Sequence, residues 1–232
     1  MQEERCEAVK VLVACEESQA VTKEFRRLGH QAFSCDLQEC SGGHPEWHIK
    51  GDALKLINGN CIFGTMDGEF HSLYGRWDMI IAHPPCTYLS NAGAARLFPK
   101  KGQLNEERYQ MGLEAKEFFM AFFNADCDRI AIENPIPTRI YGLPKYTQII
   151  QPYEHGHPFS KKTCLWLKGL PKLTPTEIVS ENIISWVSGG SKDNHGNPRK
   201  NKGTVFRDPK IRSKTFPGIA KAMAEQWAGE AK

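Results

Sequence analysis

A cysteine that could act as a nucleophile follows two prolines in the segment IAHPPCTYLS, residues 81–90. Each proline restricts the backbone, so the chain leaving the apolar run is stiff and the thiol of Cys86 is held in one direction. A thiolate is a strong nucleophile, and a cysteine presented in this way favours covalent catalysis. The alternative is that Cys86 is a small buried hydrophobic residue, as free cysteines often are.

A carboxylate in a comparable position occurs in the segment AIENP, residues 131–135. Glu133 follows an apolar run and precedes Asn134 and Pro135, so it lies where the chain must turn. A thiol and a carboxyl group at neighbouring strand ends could cooperate, because the acid can stabilise charge that develops when the thiolate adds to a ring. A surface glutamate in an ordinary loop is the alternative.

The elements that must position these residues alternate between strand and helix. Apolar β-branched runs predict strands, and apolar residues three or four apart predict helices. We expect strands at 9–14, 31–37, 77–83, 129–135 and 162–170, and helices within 16–30, 105–126 and 216–228. This alternation predicts one α/β domain over residues 1–232, with a doubly wound, mainly parallel sheet covered on both faces.

The same pattern predicts where a ligand binds. In a sheet of this kind the ligand lies outside the carboxyl ends of the strands. Asp36, Asp52, Cys86 and Glu133 all follow strand-like runs. We therefore expect these four side chains to share one rim of the sheet.

Composition excludes several classes of protein. The chain is 40% hydrophobic and 25% charged, which is ordinary for a globular protein. The opening residues, MQEERCEAVK, contain no apolar core, and no run approaches ~18 apolar residues, so we expect neither a signal peptide nor a membrane span. Eight cysteines without framework spacing predict free thiols in a reducing, cytoplasmic compartment.

Positive charge is concentrated near the C-terminus. Residues 188–214 hold eight Lys or Arg and two Asp, whereas the rest of the chain is slightly acidic. Such a stretch is either a solvated loop or a contact for a phosphate backbone. We expect residues 171–214 to form a small, partly flexible basic insertion that contacts nucleic acid, with Arg199, Lys200 and Lys202 as candidate contacts.

Together these segments resemble a known family. Pro-Pro-Cys followed by a strand ending in Glu-Asn-Pro resembles the DNA cytosine-5 methyltransferases, and a compact phage-type branch of that family is more similar still. The similarity runs nearly end to end through the segments ACEESQAV, GHQAFSCDL, GGHPEWHIKGDAL, WDMIIAHPPCTYLSNAG, RIAIENPI, KKTCLWLKGLPKL and SKTFPGIAKAMAEQW.

The resemblance implies a Rossmann-like methyltransferase fold and a reaction. Cys86 would attack C6 of a cytosine in DNA, Glu133 would hold its N3 and N4 edge, and S-adenosylmethionine would provide the methyl group for C5. The implied cofactor-binding residues are Cys15, Glu16, Glu17, Ser18, Asp36, Asp52, His83 and Pro84. The implied substrate-binding residues are Pro85, Thr87, Ser90, Asn91, Asn134, Pro135, Lys161, Lys162 and Thr163, with the basic residues named above.

The sequence departs from the typical family pattern in three places. ACEESQAV replaces the Phe-x-Gly-x-Gly segment that lets the backbone approach the cofactor. Lys161, Lys162 and Thr163 stand where larger relatives carry Gln-x-Arg-x-Arg, and they could instead be a solvated pair before a strand. Only some forty residues separate this strand from the terminal helix, so we expect short or relaxed target specificity.

Several alternatives stay open at this point. Asp36 and Asp52 could cap the following segments, and Cys35, Cys40, His44 and His48 have a spacing tolerable for zinc, although we expect no metal. The chain could also be an exocyclic amino methyltransferase for N4 of cytosine or N6 of adenine, or a non-catalytic binding relative. RNA or a free nucleotide could replace DNA, and we expect a monomer or weak homodimer.

Overall fold

A computed structural model describes residues 7–94, 96–100, 102–186 and 208–231 of the chain. Its strands are β1 (Lys10–Ala14), β2 (Gln31–Asp36), β3 (His48–Lys50), β4 (Cys61–Gly64), β5 (Phe70–Leu73), β6 (Met79–Ala82), β7 (Ile130–Pro135), β8 (Gln148–Ile150), β9 (Phe159–Ser160), β10 (Thr163–Lys168) and β11 (Ile184–Ser185). Its α-helices are α1 (Ala20–Arg27), α2 (Asn91–Ala94), α3 (Glu106–Phe123), α4 (Pro209–Ser213) and α5 (Pro217–Trp227). Single 3₁₀ turns cover Pro45–Trp47, Ala53–Lys55, Arg139–Tyr141 and Pro152–Glu154.

Seven of these strands form the central sheet, in the order β3-β2-β1-β6-β7-β10-β8. The five strands from β3 to β7 pair in parallel, and β10 runs antiparallel to both β7 and β8. The mixed α/β architecture with a mostly parallel sheet is consistent with the expected Rossmann-like methyltransferase fold. Two further pairs, β4 with β5 and β9 with β11, lie outside this sheet.

The order of the strands creates a switch point between β1 and β6. From β1 the chain proceeds to β2 and β3 on one side, whereas β6 and β7 lie on the other side. Ligands of open α/β sheets bind in the crevice outside the carboxyl ends of the strands at such a point. The segment after Ala14 and the segment after Ala82 therefore border the expected binding crevice.

Two hydrophobic clusters cover the two faces of the sheet. Along β1, Leu12 and Ala14 belong to one cluster and Val11 and Val13 to the other, as strand alternation requires. Buried phenylalanines of α3 complete the first cluster, and apolar residues of α1 and α5 complete the second. Because both faces of the sheet are buried, polar side chains of its strands are found where the strands end, at the carboxyl edge.

The predicted elements agree with the observed ones to within a few residues, except at the start of α1. That helix begins only at Ala20, because residues 15–19 form a loop. Central-sheet strands β3 and β8, the β4–β5 hairpin, the short pair β9 and β11, and the short helices α2 and α4 were not predicted. Within the described residues, no helix combines the length and apolar character needed to cross a bilayer.

Only part of the predicted basic insertion can be described. Residues 171–186 and 208–214 belong to the described ranges, and Leu173 is buried against the second cluster. Arg199, Lys200 and Lys202 lie outside the described residues.

Candidate functional site

The loop after β1 takes up its tight conformation without glycine. Cys15 and Gln19 both have left-handed backbones, with φ of 59° and 57°. Such values are uncommon for residues other than glycine, and a well-determined surrounding structure is needed to hold them. The amide of Cys15 donates to the carbonyl oxygen of Cys35 over 2.7 Å. The buried side chain of Gln19 donates to the carbonyl oxygen of His44 over 2.8 Å and accepts from its amide over 3.1 Å.

Glu16 in this loop caps α1. Its carboxylate accepts from the amide of Val21 over 2.6 Å and from the hydroxyl of Thr22 over 2.8 Å. The side chain is buried, and burial raises the pKa of Glu16. The carboxylate therefore orders the first turn of α1, whose unpaired amides favour negative charge. The carbonyl oxygen of Glu17 accepts from the amide of Ser41 over 2.8 Å, which joins this loop to the segment that follows β2.

Asp36 and Asp52 lie at the same rim as Cys15. Burial raises the pKa of the Cys15 thiol, and the nearby charges of Asp36 and Asp52 add to the effect. Asp36 ends β2 and accepts from the amide of Gln38 over 2.9 Å, and exposed Asp52 accepts from the amide of Leu54 over 3.0 Å. Asp52 thus has the capping role considered above, for the 3₁₀ turn Ala53–Lys55, whereas Asp36 closes a local turn and caps no helix. One oxygen of each aspartate makes no hydrogen bond to the described residues.

Three of the four residues with zinc-like spacing have other partners, and Nδ1 of His44 lies 2.9 Å from a carboxylate oxygen of Glu46. Both ring nitrogens of buried His48 are engaged, Nδ1 with the hydroxyl of Ser34 and Nε2 with the carbonyl oxygen of Gln38. The Cys35 thiol donates to the carbonyl oxygen of Gly51 over 3.4 Å. Within the described part of the chain, no group of three or more His, Cys, Asp or Glu side chains could hold a metal ion.

The Pro-Pro corner is fixed to both neighbouring strands. The amide of His83 donates to the carbonyl oxygen of Ala14 over 2.9 Å and extends the β1–β6 ladder by one residue. The buried side-chain amide of Asn134 donates to the carbonyl oxygen of Pro84 over 3.0 Å. Pro85 is exposed and Cys86 is half-buried. The thiol therefore stands at the rim on a backbone held from β1 and β7.

Charged groups of both signs surround the Cys86 thiol. Burial raises the pKa of Cys86, and the carboxylate of Glu133 adds to this effect. The charges of Lys161 and Arg212 act in the opposite direction and leave the pKa above its ordinary value. The Cys86 thiol is therefore within electrostatic reach of the predicted acid and of two cations. The Lys161 ammonium lies 5.9 Å from the ring centre of Phe216.

Glu133 is buried and held through one of its two oxygens. Nδ1 of His83 lies 3.1 Å from Oε2, and the hydroxyl of Thr215 donates to the same oxygen over 3.3 Å. Burial acts to raise the pKa of Glu133, but the bond and charge of His83, with the charge of Lys161, hold it below its ordinary value. Among the described residues nothing donates to Oε1, which is left free to accept from a ligand.

Backbone contacts order the segment that follows Cys86. The amide of Ser90 donates to the carbonyl oxygen of Cys86 over 3.1 Å, and that of Asn91 donates to the carbonyl oxygen of Ile136 over 3.0 Å. Arg108 of α3 donates to the carbonyl oxygens of Thr87 and Gly93 over 3.2 and 3.1 Å. Its guanidinium also lies 4.8 Å from the ring centre of Tyr88. Residues predicted to bind substrate are thus pinned to α3 and to the end of β7.

The segment before β10 lies on the other side of Glu133. The amide of Lys161 donates to the side-chain oxygen of Gln151 over 2.9 Å, whereas Lys162 is exposed. Buried Thr163 pairs with Pro135 across the antiparallel ladder. Of the three polar residues predicted here, Lys161 is the one whose charge reaches Cys86, His83 and Glu133.

Sequence reasoning missed two groups that act on Glu133 or Cys86, and one exposed apolar residue at the rim. Thr215 and Arg212 come from the chain just before α5, and Thr215 is 82 positions from its partner Glu133. Leu37, beside Asp36, is 75% exposed. Leu37 could have been found from the sequence, because it is an apolar residue directly after the acidic residue that ends a strand. Thr215 and Arg212 could not, because contacts between residues so far apart in the chain leave no local pattern.

A cavity of about 470 Å³ opens beside the loop after β1. Its walls come from Ser18 and the start of α1, from Ser41 and Gly42, and from Lys214 to Pro217. A second cavity, of about 360 Å³, lies around Trp77 and Asp78 at the opposite, amino-terminal edge of the strands. Only the first borders the rim that carries Cys86 and Glu133, and its volume suits a small organic ligand.

Comparisons with known proteins add one structural similarity. No protein-family profile matches the sequence, and no curated protein does. One similar solved structure is a provisionally assigned DNA modification methyltransferase encoded within a prophage (E. coli), with 12% identity and a TM-score of 0.41. The alignment covers 77% of this chain and 53% of that one, so this chain spans about half the length of its neighbour. That description belongs to the other protein. A similarity of this size carries no argument about the activity of this chain, which must be argued from its own residues.

Proposed function

We propose that this chain methylates C5 of cytosine in DNA, with S-adenosylmethionine as cofactor and Cys86 as the nucleophile. The observation that carries the proposal is that Cys86 follows the corner that Asn134 and Ala14 hold at the switch point, within electrostatic reach of Glu133, Lys161 and Arg212. A structural cysteine needs none of these neighbours. Covalent catalysis uses all of them.

Each neighbour has a role in the proposed reaction. Lys161 and Arg212 favour the thiolate of Cys86, which would add to C6 of the base. Glu133 would hold the N3 and N4 edge and favour protonation at N3, so that electron density from the C5–C6 double bond makes C5 nucleophilic. After C5 accepts the methyl group, loss of the C5 proton and of the Cys86 thiolate restores the double bond.

The residues across the switch point fit the cofactor. A free oxygen of Asp36 can accept from the ribose hydroxyls, and exposed Leu37 offers an apolar surface to the adenine ring. Asp52 can accept from the exocyclic amine, and Cys15 to Ser18 together with His83 and Pro84 would line the methionine end, next to the cavity beside Ser18. When bound, S-adenosylmethionine supplies an activated methyl group.

DNA is the proposed substrate, and the base would have to leave the duplex to reach Cys86. Pro85, Thr87, Ser90, Asn91, Asn134 and Pro135 would line the base pocket. Lys161 and Lys162 would contact the opened strand, whereas Thr163 is buried in β10 and would only hold the backbone of Lys161. In the basic insertion, Arg199, Lys200 and Lys202 are proposed as phosphate contacts. We propose that the chain acts in the cytoplasm as a single catalytic domain, as a monomer or weak homodimer, with short target specificity.

Trapping on 5-fluorocytosine DNA tests the nucleophile. The fluorine blocks loss of the C5 substituent, so wild-type protein with S-adenosylmethionine should form a covalent complex that survives denaturation. Cys86→Ser should form none and should methylate more than about a thousandfold more slowly, whereas Cys61→Ser, a half-buried cysteine away from the rim, should behave as wild type.

The products separate the alternatives. Nucleoside mass spectrometry should show 5-methylcytosine. N4-methylcytosine or N6-methyladenine without a trapped complex would replace the proposal by exocyclic amino methylation. Absence of S-adenosylmethionine binding by calorimetry would favour a non-catalytic binding relative.

A further inference from the structure

His83 contacts the proposed acid directly, from a backbone that leaves its ring little freedom. Its Nδ1 lies 3.1 Å from Oε2 of Glu133, and the two side chains are only 14% and 12% exposed. The residue follows the last residue of β6 and precedes Pro84, and its amide is paired with Ala14. A carboxylate can only accept, so Nδ1 carries the proton of this hydrogen bond.

The other ring nitrogen has an unusual environment. His83 Nε2 is buried and makes no hydrogen bond among the described residues. The charged groups that face the ring are Glu133 from β7, the carboxylate of Glu16 from the loop after β1, and the Lys161 ammonium from the segment before β10. Two buried carboxylates against one ammonium favour a positively charged imidazole.

We infer that His83 is a positioning residue for the proposed reaction: it holds Glu133 through Oε2, so that Oε1 faces the base, and it stores the proton that Glu133 delivers to N3. The inference rests on the proposed function and goes beyond it, because His83 was expected only among the cofactor-binding residues. In this inference the acid of the site is a pair, the His83 imidazolium together with the Glu133 carboxylate, and not Glu133 alone.

The proton can be followed through the cycle. As the Cys86 thiolate bonds to C6, the His83 Nδ1 proton passes to Oε2 of Glu133. The carboxyl group, now neutral, turns about its Cγ–Cδ bond and donates that same proton to N3. The imidazole is then neutral and N3 is protonated. When the C5 proton leaves and the C6–S bond breaks, N3 returns its proton through Glu133 to His83. Water accepts the C5 proton and Cys86 leaves as the thiolate, so the His83–Glu133 pair starts and ends the cycle in the same state.

The direction of the pKa shifts agrees with this assignment. Burial acts to lower the pKa of His83, yet the bond and charge of Glu133 and the charge of Glu16 hold it above its ordinary value, against the charge of Lys161. The pKa of Glu133 is held below its ordinary value by the same bond. When the pair holds one proton, that proton therefore lies on His83 and not on Glu133.

The test compares His83→Asn with wild type. Asparagine places an N–H close to the position of Nδ1, so it keeps the hydrogen bond to Glu133 but cannot store a proton. The pH profile of wild-type kcat/KM should be bell-shaped. The ascending limb reports formation of the Cys86 thiolate, and the descending limb reports loss of the His83 proton. His83→Asn should lose about a hundredfold in kcat with little change in the KM for DNA, and its profile should rise to a plateau without a descending limb.

The matched control is His155→Asn. His155 is also buried, bonds to Thr176 and lies outside the proposed site, so its variant should keep the bell. A second measurement, ¹³C NMR of the Glu133 carboxyl group in substrate-free protein, should show a higher pKa for Glu133 in His83→Phe than in wild type.

The outcomes distinguish this inference from the proposed function. A trapped complex with an unchanged bell and unchanged kcat in His83→Asn would overturn the role of His83 and leave the function standing. If no complex is trapped with wild-type protein, the function fails. The NMR titration then still decides whether His83 sets the charge of Glu133, and an unshifted pKa in His83→Phe would refute that as well.

Discussion

Arg108→Met should loosen the segment after Cys86 without unfolding the protein. The guanidinium donates to the carbonyl oxygens of Thr87 and Gly93 and lies over the ring of Tyr88. Methionine keeps much of the aliphatic stem and removes the donors and the charge. The segment should then open locally more often, while the sheet keeps its stability.

The size of the effect follows from the three contacts. Each hydrogen bond contributes about 1 kcal/mol net, and the partly exposed cation–π contact contributes about 0.5–1 kcal/mol. The local opening free energy should therefore fall by about 2.5–3 kcal/mol, which is about a 60- to 150-fold increase in opening. The long helix α3 itself should change little, because Arg108 lies in its first turn.

Native-state hydrogen exchange with mass spectrometry measures this opening. The amides of Ser90, Asn91 and Ala94 are hydrogen-bonded and should report the loss of protection. Lys116→Met on the same helix is the matched control, since Lys116 makes no ion pair among the described residues, and it should leave these amides unchanged. Unchanged protection in Arg108→Met, or an equal loss throughout the central sheet, would refute the anchoring role.

Two further predictions concern stability. Gly112→Ala should destabilise the fold by about 1–3 kcal/mol in urea unfolding, despite the helix preference for alanine, because the new Cβ would strike the buried ring of Tyr141; equal or higher stability would contradict this packing. The His83–Glu133 pair should stabilise most between pH 4.5 and 6.5, the ordinary pKa values of the two groups. Below that window the contribution is lost as pH falls through the lowered pKa of Glu133, and above it as pH rises through the raised pKa of His83. The difference in unfolding free energy between wild type and His83→Phe, followed against pH, should peak in the window, and a flat difference would show that the pair carries no charge.

The sequence by itself determined the architecture and the rim. Apolar β-branched runs alternating with helical spacing predicted the strands that contain Leu12, Ile80 and Ile132, because a strand buried on both faces must be apolar throughout. Parallel strands share an edge, so the order of strands and helices along the chain was enough to place Asp36 and Glu133, the polar residues at two strand ends, on one rim. The start of α1 was predicted too early. Glu16 and Gln19 suit a helix by residue type, but they lie in the loop before α1, where the Glu16 carboxylate caps the helix.

Only the tertiary structure decided which groups meet around Cys86. The contact of Thr215 with Glu133, the charges of Lys161 and Arg212 on the thiol, and the pairing of His83 with Glu133 all join distant parts of the chain. Local patterns arise from residues a few positions apart, whereas these contacts arise from the order in which strands enter the sheet. The sequence could therefore point to Cys86 and Glu133 as the proposed nucleophile and acid, but the charge state of the His83–Glu133 pair depends on neighbours that only folding brings within reach.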